Sequence, residues 1–136
     1  MKNKTFWIGF VVMFVLLQAM NFLLHGVILA PAYQKLTSVF RPEEAMTAMM
    51  PWIWTAGIVS LLLFAHIFTL GREGKGITEG ARYGLLMGLF YAVPTSIDQH
   101  VVYPVPGDVA VIWAIAGVLT FTLCGAVFAA IYKPAG

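Results

Sequence analysis

Four long apolar stretches, about residues 6–30, 50–70, 80–103 and 109–132, take up most of the chain and leave little that could fold in water. At ~1.5 Å of rise per residue, each is long enough to cross a hydrocarbon core of about 30 Å. The expectation is an all-α membrane protein, with four transmembrane helices in an antiparallel bundle forming a single domain over residues 1–136. The connections are short, which favours antiparallel packing of neighbours.

Composition supports the segment reading and excludes other classes. Apolar residues are 60% of the chain and charged residues 10%, against about 25% charged in a soluble domain. A net charge of +2, scattered along the chain, is no nucleic-acid footprint. The single cysteine, Cys124, lies inside the last stretch, so no internal disulfide can form. Lys2 and Lys4 before an apolar run, with Ala30-Pro31-Ala32 after it, superficially resemble a secretory leader. The run is about 25 residues long, well beyond the roughly 7–15 of a leader core, and reads as a span.

Basic residues set an expected orientation. Lys2, Lys4, Arg72, Lys75, Arg82 and Lys133 fall on one side of the four stretches, and Lys35 and Arg41 on the other. Both termini and the loop over residues 71–80 are therefore expected in the cytoplasm. Trp7, Tyr83 and Tyr132 mark one border; Tyr33, Trp52, Trp54, Tyr103 and Trp113 mark the other.

Residues 31–51 form the longest connection. Pro42 followed by Glu43 and Glu44 reads as a helix start. Met46, Met49 and Met50 share one side, which predicts a short interfacial helix on the periplasmic surface. Copper binding through those thioethers is a sharper reading, but apolar anchoring accounts for them without a metal. The inner loop carries a Gly74-Lys75 pair, yet Thr69 stands where a phosphate-binding loop needs its earlier glycine. A flexible polar turn is the better reading, with Thr78 and Glu79 as cap and first-turn acid of the next helix.

Gly80, Gly84 and Gly88 repeat every four residues and present a smooth face, for a neighbouring span or for a second protein. Gly117 and Gly125 smooth the last stretch in the same way. Pro94 is expected to interrupt and bend the third helix near mid-membrane. Just outward of it lies the polar run Thr95-Ser96-Ile97-Asp98-Gln99-His100.

The first stretch answers with Gln18, Asn21 and His25, spaced three and four apart and so on one helical face. Counting ~1.5 Å per residue puts His25, Asp98 and His100 in one layer, about 10 Å outward of the middle. The candidate site is thus Gln18, Asn21, His25, Ser96, Asp98, Gln99 and His100. An ionised Asp at the bilayer centre costs about 2.5–3.5 kcal/mol, so Asp98 should be neutral, paired or wet. The competing structural reading is that these polar groups tie helices together, at about 0.6–2 kcal/mol each. His66 lies towards the other side, without an acidic or histidine neighbour, and is left out.

Three functional classes follow. The first is a non-enzymatic accessory or structural subunit, docking through its smooth faces in a larger membrane complex and carrying no cofactor. The second binds haem or a metal ion through His25 and His100. The third is a small dimeric transporter coupled to protons or cations at Asp98. Expected partners are the lipid bilayer and other membrane subunits or a second copy. An enzyme is disfavoured, since no nucleophile–base pair and no two-histidine ligand spacing on one helix is evident. His25 and Pro31 are six apart, as are His100 and Pro106. That would fit an internal duplication, but the second and fourth stretches align poorly.

The segments Asn21-Phe22-Leu23-Leu24-His25-Gly26-Val27, Arg82-Tyr83-Gly84-Leu85-Leu86, Val93-Pro94-Thr95 and Tyr103-Pro104-Val105-Pro106-Gly107 resemble those of small bacterial four-span membrane proteins of unassigned function. The likeness covers nearly the whole chain. It implies the same architecture and a bacterial inner membrane, and assigns no residue a role.

Overall fold

In the computed structural model, which describes residues 3–134, the chain is all-α. Helix α1 (Lys4–Asn21) passes into a π-helical segment (Phe22–Ile28), followed by the short α2 (Ala30–Gln34). Three long helices follow: α3 (Glu43–Gly71), α4 (Ile77–Val102) and α5 (Gly107–Ile131). By length and composition, three segments could cross a membrane: Lys4–Ile28, Glu43–Gly71 and Gly107–Ile131. The third apolar stretch forms α4, but its polar run makes it less apolar than the others.

α4 and α5 form the closest pair. Gly80, Gly84, Gly88, Ala92 and Ser96 form one buried stripe, each four residues after the last. A Cβ at Gly84 would lie 2.1 Å from the Phe121 carbonyl oxygen, and one at Gly80 equally close to that of Gly125. Only hydrogen fits there, so the two backbones touch directly. Further along, Ala92 meets Gly117, and at the far end His100 lies beside Gly107. The pairing therefore runs the full length of both helices. The glycine face is used inside the molecule and is closed to a second protein.

The remaining helices pack around aromatic rings. Phe6, Met13, Leu61, Phe64, Phe68, Cys124 and Phe128 form the main buried cluster, joining α1, α3 and α5. Phe128 sits at its centre, edge-on to Phe6 and Phe68. Tyr83 donates a 2.7 Å hydrogen bond to the Phe64 carbonyl, linking α4 to α3.

The end of the molecule that holds this cluster also holds the chain ends. Asn3 caps α1, accepting from the Thr5 N–H, and its amide donates to the Lys133 carbonyl. The Lys133 N–H donates to the Thr5 hydroxyl at 3.0 Å. The Arg72 guanidinium lies over the Tyr132 ring. Both chain ends and the α3–α4 loop thus share one end of the molecule.

Several local expectations change. The segment expected as a separate interfacial helix is the first two turns of α3, which continues through Pro51. A proline removes one donor and crowds the preceding turn, and the flanking turns hold the helix here. The short helix of that connection is α2 instead. α4 likewise runs through Pro94 without interruption. The irregular backbone lies in α1's continuation, where the Leu29 N–H reaches back five residues to Leu24 at 2.8 Å. Pro31, two residues later, has no N–H to continue an ordinary α ladder.

The α3–α4 loop is more ordered than a polar turn. Gly74 and Gly76 have φ of 81° and 72°, conformations that disfavour any side chain. The buried Glu79 carboxylate accepts the N–H groups of Glu73 and Lys75. Helix α4 starts at Ile77 with Gly76 at its cap position, so Thr78 lies inside it. Glu79, reaching back, does the tethering. Burial alone would raise the Glu79 carboxyl, but those two N–H groups outweigh it and hold it below its usual range.

Candidate intramembrane site

Towards the end opposite the termini, the four long elements line a partly open cavity of about 380 Å³. Chain direction orders its lining by depth. Towards the end opposite the termini lie His25, Ile53, Gln99 and Trp113. In the middle are Asn21, Gly57, Ser60, Thr95, Ser96, Gly117 and Thr120. At the deep end are Leu17, Leu61, Tyr91, Ala92, Phe121 and Cys124. The site is polar above and mostly apolar below.

Four of the residues expected from sequence meet there: Asn21, His25, Ser96 and Gln99. Three do not. Gln18 lies against the α1–α3 contact, with its amide nitrogen 3.9 Å from the position a Cβ at Gly57 would take. Asp98 is exposed on another side of α4. The His100 Nδ1 is 2.6 Å from the Val105 carbonyl oxygen, which ties the ring to the α4–α5 connection. The reason is partly angular: successive residues turn ~100° around a helix, so Asp98 lies about 160° from Ser96. His100 is only about 40° from Ser96 and continues its stripe, but it sits past the cavity, against Gly107 and the Val105 carbonyl. Equal depth placed all four in one layer; helical phase removes Asp98, and position at the helix end removes His100.

Sequence reasoning missed Ser60, Tyr33 and Trp113. Ser60 offered a weak signal, as an isolated hydroxyl in an apolar run. Tyr33 and Trp113 read as border aromatics, yet they form a hydrogen-bonded chain with His25. The Trp113 Nε1–H donates to the Tyr33 hydroxyl oxygen at 2.7 Å, and that hydroxyl is 2.5 Å from the His25 Nδ1. Indole can only donate, so the Tyr33 oxygen accepts from Trp113, and the Tyr33 hydroxyl and the His25 Nδ1 share one further hydrogen bond. Burial pushes the Tyr33 hydroxyl up, against a smaller opposite effect of the Trp113 hydrogen bond, so the phenol keeps its proton. The Tyr33 and His25 rings are also stacked, at 5.8 Å between centroids.

Among the described residues, no group of three or more His, Cys, Asp or Glu side chains is placed to hold a metal ion. A second concavity at Glu43, Glu44, Thr47 and Ala48 is a shallow feature on one turn of α3, open to the surroundings.

No protein-family model, curated protein or solved structure matches this chain.

Proposed function

We propose that this chain is a small four-span protein of a bacterial inner membrane that binds a small molecule between its helices without transforming it. The observation that carries this reading is the cavity of about 380 Å³, within the range of about 300–1,000 Å³ typical of ligand sites. It collects polar side chains from four helices at a depth where lipid offers them no partner. For the fourth span, the support is that α4 lies against α5 along its whole length, so that a membrane crossed by α5 is crossed by α4. The basic residues Lys4, Arg72, Lys75, Arg82 and Lys133 near the end with the termini support a cytoplasmic placement of that end.

Two tests follow. In a Cys124→Ala background, a membrane-impermeant maleimide applied to intact cells should label Arg41→Cys and spare Lys75→Cys; the opposite pattern would refute the orientation. For the site, Ser60→Phe should fill the cavity from α3 without touching the glycine seam. Mass spectrometry of gently extracted protein should then show a small molecule with the wild type that the variant lacks. Identical small-molecule content would reject the binding reading.

An accessory role in a larger assembly, or self-association, has less support, because the glycine faces are occupied by α4 and α5 themselves. Docking would have to use large lipid-facing side chains such as Phe90, which is 77% exposed. A stoichiometric set of co-purifying membrane chains would be its sign. Transport coupled at Asp98 loses its main support, because the carboxyl faces away from the cavity.

A further inference from the structure

Resting on the binding reading above, we infer the chemical class of the ligand: an uncharged amphiphile. Its hydrogen-bonding end lies towards His25, Gln99 and Trp113, and its apolar end towards Leu61, Phe121 and Cys124. Three observations converge on this class. The first is charge. Among the described residues, no Asp, Glu, Lys or Arg lines the cavity. An ionised head group would sit unpaired in low dielectric, which is heavily penalised. Asp98, the one acid in the neighbouring run, turns away.

The second is unmet hydrogen bonding. No side-chain hydrogen bond joins Asn21, Ser60, Thr95, Ser96 or Gln99 to another described residue. These groups include amide donors, amide acceptors and hydroxyls. The His25 Nε2, left over once Nδ1 is bonded to Tyr33, adds a further hydrogen-bonding group. A carbonyl, hydroxyl or ether group can satisfy both kinds.

The third is the gradient. Antiparallel packing puts Asn21, His25 and Gln99 towards one end of the cavity and a mostly apolar floor, which also includes Tyr91, at the other. A molecule with one polar and one apolar end fits in one direction only.

The probes are three ten-carbon molecules brominated beside the head group: an alcohol, a carboxylate and an ammonium. The protein is reconstituted in lipid nanodiscs near neutral pH, with Trp7, Trp52 and Trp54 changed to Phe. Those three are 42%, 72% and 46% exposed, and the changes leave Trp113 as reporter. Quenching is compared at equal membrane-partitioned concentration. The alcohol should quench at least about tenfold more effectively than either ion. Asn21→Leu and Gln99→Leu should each weaken it about fivefold. Gln99→Glu should shift preference to the ammonium.

If an ion quenches as well as the alcohol and is equally weakened by Asn21→Leu, the site stands and the uncharged class is refuted. If Gln99→Glu leaves the preference unchanged, the assigned direction of the polar end is refuted. If no variant alters quenching by any probe, the binding reading fails and takes this inference with it.

Discussion

The two halves of this molecule are built by opposite means. Near the termini, backbones touch through Gly80, Gly84 and Gly125, and rings interlock around Phe128. Towards the other end, α4 and α5 stay paired, but the long helices leave a partly open cavity between them, and α1 continues as a π segment. The contrast follows from what can hold helices together in lipid. Hydrocarbon tails are as apolar as leucine, so the tight half relies on close van der Waals fit. The open half carries more polar side chains along its cavity, and these need partners. Rigidity in one half leaves the other free to hold a ligand.

The largest expected effect is at the seam. Gly84→Leu would drive a side chain into the Phe121 backbone and should cost about 3 kcal/mol or more, or abolish folding. Unfolding in mixed micelles measures it, and a loss under 1 kcal/mol would mean the helices are not in this contact. Phe128→Ala should come next. In lipid the solvent-transfer contribution largely drops out, and the lost packing leaves about 2–3 kcal/mol.

Effects should shrink in the open half. Tyr33→Phe removes the link between Trp113 and His25 and should cost about 1–2 kcal/mol. It should also shift the Trp113 indole N–H resonance; an unmoved resonance would rule out the hydrogen-bonded chain. Asn21→Leu should stay within about 0.5 kcal/mol, or stabilise, because it removes a polar group without an internal partner. A large loss there would blur the contrast between the halves.

The α3–α4 loop adds a pH signature. The Glu79 carboxyl titrates lower in the folded protein than in the unfolded chain. Its contribution is therefore complete above the usual carboxylate range and fades as pH falls through the lower folded value. Proteolysis within residues 72–76 should accelerate on acidification through that window. In Glu79→Gln the acceleration should be present already at neutral pH.

Much of the all-helical architecture was legible in the sequence, because spans are dictated by length and apolarity. The glycine stripe was legible as a packing face, although its partner was open. The candidate site was half legible. Depth along a helix can be counted from the chain, and it grouped Asn21, His25, Asp98 and His100. Lateral direction cannot be counted the same way, since it depends on how neighbouring helices rotate about their axes. Asp98 fell away for that reason, and His100 because the α4–α5 connection holds its ring. The π segment and the bond from Tyr33 to His25 had no local signature beyond Pro31.

By itself, the sequence determined that the chain forms long apolar helices, which end carries the positive charge, and where glycines let backbones meet. Each follows from local chemistry that neighbours hardly alter. Tertiary structure alone decided which polar residues share a space, that Tyr33 joins Trp113 to His25, and that the glycine face is closed to outside partners. Those outcomes depend on relative rotation of packed helices, and a few tens of degrees there exchange one set of neighbours for another.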